Sequence, residues 1–316
     1  MKKVVLIGLM ILPLCASAQQ SSAGDPTPSG TSATSVTFPV ERVQKPTRAD
    51  LYCSGFVGKT IQTHANFVAG GLDSPFTTQF GTGEALFLNG KGYEVGQEFT
   101  IVRELTDPNR YELFPGQWAA LKAAGQPYEE VGTVKVVDTR NKMTVAQVEF
   151  ACDTILPGDY AIPFVNKSAI EFHPPMRVDR FAAANGQVNG MIILAKEFDS
   201  ELGTGAKVYL NIGSNQGLKV GDYLKAVRSY EATAKDSVDK LSFMAPSLDP
   251  TQLKKPSMEQ GFLNRTNGPE IHIAEMPRRA VGEIVILGTT PSTATGMIVY
   301  SLETVHIGDR VELDQQ

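Results

Sequence analysis

The amino-acid sequence predicts a mostly β protein: two tandem small β-barrel or β-sandwich modules, with short helices in their inserts. Three observations support this prediction: an internal repeat, short runs in which apolar and polar residues alternate, and glycine-rich turns between those runs. A chain of 316 residues is long enough for two modules, each with its own core.

The internal repeat consists of three blocks that occur twice in the same order. The matched pairs are GTGEALFLN with GTGAKVYLN (81–89 and 203–211), 95–103 with 220–228, and 131–159 with 281–309. Similarity at a fixed order of blocks indicates a duplicated structural unit. The sequence therefore predicts two homologous modules, 48–165 and 178–316, joined by a linker at 166–177.

Within each module, alternation with a period of two residues predicts β-strands. Examples are 85–88, 134–137, 146–150, 207–210 and 283–286. Glycine permits positive φ where the chain reverses, and aspartate accepts hydrogen bonds from nearby backbone amides. We therefore assign a structural role to the repeated turn residues Gly96, Gly158, Asp159, Gly213, Asn215, Gly217, Gly221, Asp222, Gly308 and Asp309.

The two modules differ most in the insert between the second and third matched blocks. The first insert predicts a short helix over 117–124, with Trp118 as the residue that packs it; the alternative role for Trp118 is a platform for a ligand. The second insert, 229–280, is longer, contains five prolines and predicts a short helix over 233–243. Because long inserts in compact domains are usually functional or disordered, we expect the second one to carry a partner-specific surface.

The N-terminus predicts export. Residues 1–18 combine Lys2 and Lys3, an apolar stretch and an Ala-Ser-Ala cleavage site, which is typical of a secretory signal peptide. Alternatives are a buried N-terminal helix or a lipid attached to Cys15. Residues 19–47, rich in Ser, Thr and Pro, predict a flexible leader. No later apolar run has the length of a membrane span, so we expect a periplasmic or extracellular protein, or one associated with the outer membrane.

Two cysteines, Cys53 and Cys152, follow the predicted cleavage site. In an oxidising compartment, two cysteines in one chain favour a single disulfide bond. The alternative is a pair of buried free thiols.

The sequence argues against several classes of functional site. A formal net charge of −5 without basic runs disfavours nucleic-acid binding. The four histidines are scattered without the spacing of zinc ligands. Residues 53–60 resemble a phosphate-binding loop, but Cys53 replaces its first glycine. Glu129 and Glu130 are adjacent on a strand and point to opposite faces. We therefore predict no catalytic, cofactor-binding or metal-binding residues and no enzymatic activity.

Three stretches of the second module resemble a known family. They are KVYLNIGSNQGLKVGDYLKAVR (207–228), VGEIVILGTTPSTATGMIVYS (281–301) and HIGDRVEL (306–313). This pattern resembles the C-terminal domain of the flagellar assembly protein T family, with a weaker second copy over 81–165. The resemblance implies a small β-barrel module in a periplasmic or envelope protein, with a scaffolding role.

Three hypotheses for the function remain. The first is an exported, non-enzymatic scaffold or interaction protein of the bacterial cell envelope, which binds a protein or envelope component through loops of its β modules. The second is a glycan- or cell-wall-binding protein. The third is an exported hydrolase whose catalytic acids the sequence does not locate.

Overall fold

The computed structural model describes residues 43–59, 65–74, 76–108, 111–140, 142–172, 179–229 and 277–314. All of these residues belong to one compact unit. The predicted signal peptide, most of the predicted leader, and the predicted helix at 233–243 lie outside them.

The first barrel is closed by six antiparallel strands in the order β2-β3-β6-β5-β4-β7, and a short strand β1 pairs with the start of β5. The strands are β1 (Phe56–Gly58), β2 (Phe67–Gly71), β3 (Ala85–Asn89), β4 (Glu98–Glu104), β5 (Gln126–Asp138), β6 (Thr144–Ala151) and β7 (Tyr160–Pro163). Closure leaves no free edge in the barrel wall itself.

The second barrel has six antiparallel strands in the order β8-β10-β13-β12-β11-β15, and β9 pairs with β14 beside it. The strands are β8 (Asn189–Ala195), β9 (Glu201–Leu202), β10 (Lys207–Leu210), β11 (Tyr223–Arg228), β12 (Arg279–Thr289), β13 (Ala294–Ser301), β14 (Val305–His306) and β15 (Arg310–Leu313). The sequence repeat matches β3 with β10, β4 with β11, β5 with β12 and β6 with β13. The barrel strands therefore follow one another in the same order in both modules.

Apolar side chains fill both barrels. In the first, alternate residues of the strands, among them Leu86, Leu88 and Val148, form one buried cluster. In the second, Val208, Leu210 and Ile298 belong to the corresponding cluster. The prediction of a mostly β protein with two small barrels is thus confirmed.

Two short α-helices occur in the described residues: α1 (Arg48–Tyr52) and α2 (Gln117–Ala124). Thr47 is the N-cap of α1, where its side chain and that of Asp50 form a reciprocal capping box. Helix α2 lies where the sequence predicts it. The prediction that Trp118 packs α2 is wrong, because Trp118 is 53% exposed and the buried residues of this helix are Gln117 and Ala124.

The first insert contacts the second barrel. Leu113, which precedes α2, is buried within the core cluster of that barrel. The Gln117 side chain accepts a hydrogen bond from the Leu113 amide (2.8 Å) and donates one to the carbonyl of Ile193 in β8 (3.0 Å). The burial of Gln117 is offset by these two hydrogen bonds, since they satisfy its side-chain amide.

Candidate interaction surface

The repeated Gly-Asp turns lie at equivalent ends of the two barrels, which we call the turn ends. Gly158 and Gly308 have φ values of 97° and 101°, which glycine adopts without steric cost. The carboxylate of Asp159 accepts the Leu156 amide at 2.7 Å, and that of Asp309 accepts the His306 amide at 2.8 Å. These carboxylates therefore stabilise the turns themselves.

An arginine at the end of the second repeated block pairs with the turn aspartate of the same module. The Arg103 Nε and Nη2 atoms donate to Asp159 at 2.9 and 2.8 Å, and Nη2 also donates to the Thr154 carbonyl at 2.7 Å. Hydrogen bonding to Asp159 raises the pKa of Arg103. The internal repeat aligns Arg103 with Arg228, but its aspartate partner was not predicted from the sequence. The pairing could have been inferred because an arginine and a Gly-Asp turn occur together in both copies.

The other predicted turn residues also lie in tight reversals. Gly96 and Gly221 have φ values of 87° and 91°, and the Asp222 carboxylate accepts the Lys219 amide at 2.7 Å. In the GSNQG loop, Gly217 has a φ of 87°, and the Asn215 amide donates to the carbonyl of Pro291. A Cβ at Gly213 would lie 2.3 Å from the Thr290 carbonyl oxygen, so only glycine fits there.

The two barrels meet at a buried junction formed by β1, α1 and α2 against β8, β10, β12 and β13. The Thr293 and Thr295 hydroxyls donate to the carbonyls of Val57 and Gly55 at 2.6 and 2.9 Å. The Tyr209 hydroxyl donates to the Ser54 carbonyl at 3.2 Å. Side chains of the second barrel thus donate hydrogen bonds to backbone carbonyls at and before the edge of β1 that does not pair with β5.

Paired charges surround these hydrogen bonds. Lys207 and Lys196 of the second barrel contact Asp50 (2.6 Å) and Glu129 (3.0 Å) of the first module. Glu130, which points to the other side of β5, contacts Lys167 at 2.6 Å. The two adjacent glutamates therefore belong to separate ion pairs.

The pKa values at the junction follow from this pairing. Burial opposes the charge on Asp50, but Lys207 and the Thr47 cap lower its pKa below the usual value. Burial also opposes the charge on Lys196, and Glu129 nevertheless raises the pKa of that ammonium group. Burial, together with the charges of Glu129 and Glu130, raises the pKa of the Tyr209 hydroxyl. Each group is therefore held in its usual ionisation state at neutral pH.

One outer face of the second barrel is covered, whereas the equivalent face of the first is polar. Leu51 and Tyr52 of α1 pack on Val285, Met297 and Val299. The equivalent residues of the first barrel are Lys135, Gln147 and Glu149, of which Lys135 lies 3.6 Å from Glu149. The replacement of polar residues by apolar ones between the two copies was the sequence signal for this interface.

A disulfide joins Cys53, directly after α1, to Cys152, directly after β6. The predicted bond is thus present, and it attaches the helix that covers the second barrel to the wall of the first. This bond and the ion pair between Asp50 and Lys207 connect α1 to both barrels.

Two predicted segments contact the barrels as well. The Gln44 amide donates to the Val299 carbonyl at 2.9 Å. The predicted flexible leader, 19–47, therefore includes at its C-terminal end residues that contact the second barrel. In the predicted linker, Ile170 is buried against α1, and Asn166 accepts a hydrogen bond from the Tyr52 hydroxyl at 2.7 Å. Residues 173–178 of the linker lie outside the described part.

The turn end of the first barrel is open to solvent. A cavity of about 360 Å³ lies there, lined by Gln79, Phe80, Gly81, Glu84, Ala151, Cys152, Asp153 and Thr154. Leu72 and Phe76, in the connection between β2 and β3, are 43% and 88% exposed. This end therefore combines a concave surface, exposed apolar side chains and two carboxylates.

Aromatic side chains are also exposed on the first insert. Tyr111 is 63% exposed and lies before α2, and Trp118 lies on the outer side of that helix. Both oxygens of Glu112 accept backbone amides, those of Gly116 and Trp118. These hydrogen bonds join Glu112 to the start of α2, and the rings of Tyr111 and Trp118 on either side of Glu112 are exposed to solvent.

The described residues show neither a cluster placed to hold a metal ion nor a membrane-spanning helix. They contain no group of three or more His, Cys, Asp or Glu side chains placed to hold a metal ion. Over the same residues, no helix is both apolar enough and long enough to cross a membrane. Residues 230–276 of the second insert, where we expected a partner-specific surface, lie outside the described part.

Comparison with models of known protein families finds no match. Comparison with curated proteins finds no match either.

Proposed function

We propose that this chain is an exported, non-enzymatic interaction protein of the bacterial cell envelope, which holds a protein or envelope component through loops at the ends of its two barrels. The observation that supports this proposal is the junction. It joins two filled barrels through buried hydrogen bonds and two ion pairs, while a disulfide and a third ion pair hold α1 and the linker on the first barrel. A rigid pair of barrels fixes the relative positions of its loops, which lowers the entropy lost when a partner binds several of them.

The disulfide supports the export part of the proposal. Disulfides persist in oxidising compartments and are rare in the bacterial cytosol. The predicted signal peptide at 1–18 supplies a route to such a compartment. Cell fractionation with thiol labelling checks this part: blocked Cys53 and Cys152 in the periplasmic or extracellular fraction are expected, and free thiols in the cytosolic fraction would contradict it.

The binding part is tested by affinity capture from envelope extracts with the full chain as bait. The matched variant replaces 230–276 with a Gly-Ser turn, which the fold allows because Arg228 and Arg279 are cross-strand partners at the base of the insert. If the second insert carries the partner surface, a specific component is retained by the full chain and lost from the variant. Equal retention by both would contradict the role of the insert, and no retention by either would contradict the proposed function.

A second candidate, glycan binding, is favoured by the exposed rings of Tyr111 and Trp118. Sugar rings stack on aromatic faces, and a rigid aromatic side chain loses little entropy when it binds. Trp118 is the single tryptophan of the chain, so its fluorescence reports on this surface alone. A saturable change in Trp118 emission on addition of peptidoglycan fragments would support glycan binding. A direct binding measurement should then show that Trp118→Ala no longer binds these fragments. Unchanged emission of the wild type, together with equal retention of wild type and Trp118→Ala on cell walls, would exclude this surface as a glycan site.

A further inference from the structure

The turn ends of the two barrels are equivalent in sequence and fold, but among the described residues only that of the second is covered by another segment. Phe114 of the first insert lies against Gly308, where an added Cβ would be 3.1 Å from the phenylalanine ring. Its neighbour Leu113 lies in the core cluster of the second barrel. An aliphatic and an aromatic residue in one loop thus close this end.

The first barrel lacks such a cover among the described residues. Gly158 is the counterpart of Gly308, and an added Cβ there would have no described atom within 4 Å. Leu72 and Phe76, in the connection between β2 and β3, are exposed, and the Leu72 amide donates to the carbonyl of Ala85, the residue after Glu84 of the cavity. Phe80 closes the core below, since it is almost fully buried and its backbone pairs with that of Ile155. The exposed apolar residues therefore lie outside a core that is already complete.

The charges at the two ends indicate what kind of loop fits. In the second barrel, Glu303 contacts the guanidinium groups of Arg180 and Arg279. Its counterpart in the first barrel is Asp153, whose side chain is 55% exposed and lies 3.7 Å from Arg103. Glu84 adds a second carboxylate at the cavity rim, where the second barrel has Ala206. A basic residue of a partner would complement this rim.

We propose that the turn end of the first barrel is a docking site for a loop of a partner protein, one that carries adjacent aliphatic and aromatic side chains and a basic residue beside them. This inference rests on the proposed function and names the site and the chemistry of its partner. A second copy of this chain does not supply the loop, because its own Leu113 is buried in its own second barrel.

The probe for this site is a fluorescein-labelled cyclic peptide of residues 111–117 that carries Glu112→Lys. It reproduces the loop that covers the second barrel and places a positive charge beside Leu113 and Phe114. The control peptide carries Leu113→Ser and Phe114→Ser in addition. Binding to the full chain is measured by fluorescence polarisation, and we expect saturable binding of the first peptide and at least tenfold weaker binding of the second.

Protein variants localise the binding. Leu72→Glu with Phe76→Asp places acidic groups where the apolar side chains should dock, and we expect about tenfold weaker binding or more. Val220→Asp, an exposed residue of the second barrel, is the matched control and should bind within about twofold of wild type. Circular dichroism verifies that both variants fold. Absent binding, or equal binding to the Leu72→Glu/Phe76→Asp variant, would overturn the inference.

Two further results separate this inference from the proposed function. If envelope capture succeeds and is unaffected by Leu72→Glu with Phe76→Asp, the proposed function stands and this docking site is wrong. If the peptide binds as expected but no envelope component is retained, the docking chemistry stands and the proposed function fails. Sedimentation analysis adds a third check: a dimer that the same variant dissociates would identify a second copy as the occupant and overturn the partner assignment.

Discussion

Arg228 and Asp309 form a two-pronged ion pair at the turn end of the second barrel, with Nε–Oδ1 and Nη2–Oδ2 distances of 2.9 and 2.8 Å. Arg103 and Asp159 form the same pair in the first barrel with the same two distances. The two pairs differ in solvent exposure: the arginine side chain is 8% exposed in the second barrel and 26% in the first.

Because of this difference in exposure, we expect the loss of Arg228 to destabilise the fold more than the loss of Arg103. Removing one partner of a buried ion pair costs about 3–5 kcal/mol, whereas partly exposed pairs contribute less. We expect Arg228→Met to lower the free energy of unfolding by about 3 kcal/mol or more, and Arg103→Met by about half of that or less. Urea unfolding followed by circular dichroism measures both. Equal losses in the two variants would show that burial does not determine the contribution of the pair.

The disulfide predicts a large dependence of stability on reduction. Cys53 and Cys152 are separated by 99 positions, and in the chain-entropy model a loop of that length contributes about 4–5 kcal/mol. Cys53→Ser with Cys152→Ser should therefore lower the free energy of unfolding by about 2–5 kcal/mol. The control is a dithiol reductant, which should destabilise wild type and leave the double variant unchanged. Equal stability of wild type with and without reductant would contradict this contribution.

The ion pair between Asp50 and Lys207 predicts a pH dependence. The pKa of Asp50 is lowered from about 3.8, so its ionised form is favoured by folding. That contribution is present above pH 3.8 and is lost as the pH falls through the lower folded-state pKa. At pH 7, Asp50→Asn should cost about 1 kcal/mol, and its difference from wild type should shrink below pH 3.8. Urea unfolding at pH 7 and at pH 3 measures it.

A double-mutant cycle tests whether Lys207 is responsible. In a Lys207→Met background, Asp50→Asn should cost less at pH 7 than it does in wild type, since the charge pair is already absent. The part of the cost that remains belongs to the capping box with Thr47. A cost that is the same in both backgrounds would mean that the two side chains are not coupled.

Two glycines of the GSNQG loop predict different effects of alanine. At Gly213 an added Cβ would lie 2.3 Å from the Thr290 carbonyl oxygen, so backbone must move, and we expect a loss of about 2–3 kcal/mol. At Gly217 the space among the described atoms is open, but φ is 87°, which costs about 1 kcal/mol for alanine. Thermal unfolding ranks the variants, and a larger loss at Gly217 would contradict the steric explanation.

The sequence allowed the strand class, the two-fold repeat and helix α2 to be predicted, because alternation and repeated turns are local properties of the chain. It allowed the disulfide to be proposed because only two cysteines follow the predicted cleavage site. The error at Trp118 has a physical cause. Hydrophobic size suggested that the ring would pack the helix. Instead Gln117 is buried, with hydrogen bonds to the nearby Leu113 amide and to the carbonyl of Ile193, which is distant in sequence.

The candidate site was less predictable. Nothing local indicates that Leu113 and Phe114 close the second barrel, or that the equivalent end of the first stays open, since both facts depend on how the modules are placed. One signal was available: Lys135, Gln147 and Glu149 correspond to Val285, Met297 and Val299 in the second copy. Apolar residues on the outer face of one copy alone indicate that this face is covered.

By itself, the sequence determined that the chain is built from two related β modules with the same turns. Residue patterns with a period of two and glycines at reversals act over a few positions, and the duplication repeats them. Only the tertiary structure decided which faces are buried, which carboxylate pairs with which cation, and which barrel end is open. Those outcomes depend on contacts such as Glu129 with Lys196 and Asp50 with Lys207, whose partners are far apart along the chain and meet only when both barrels have closed and packed.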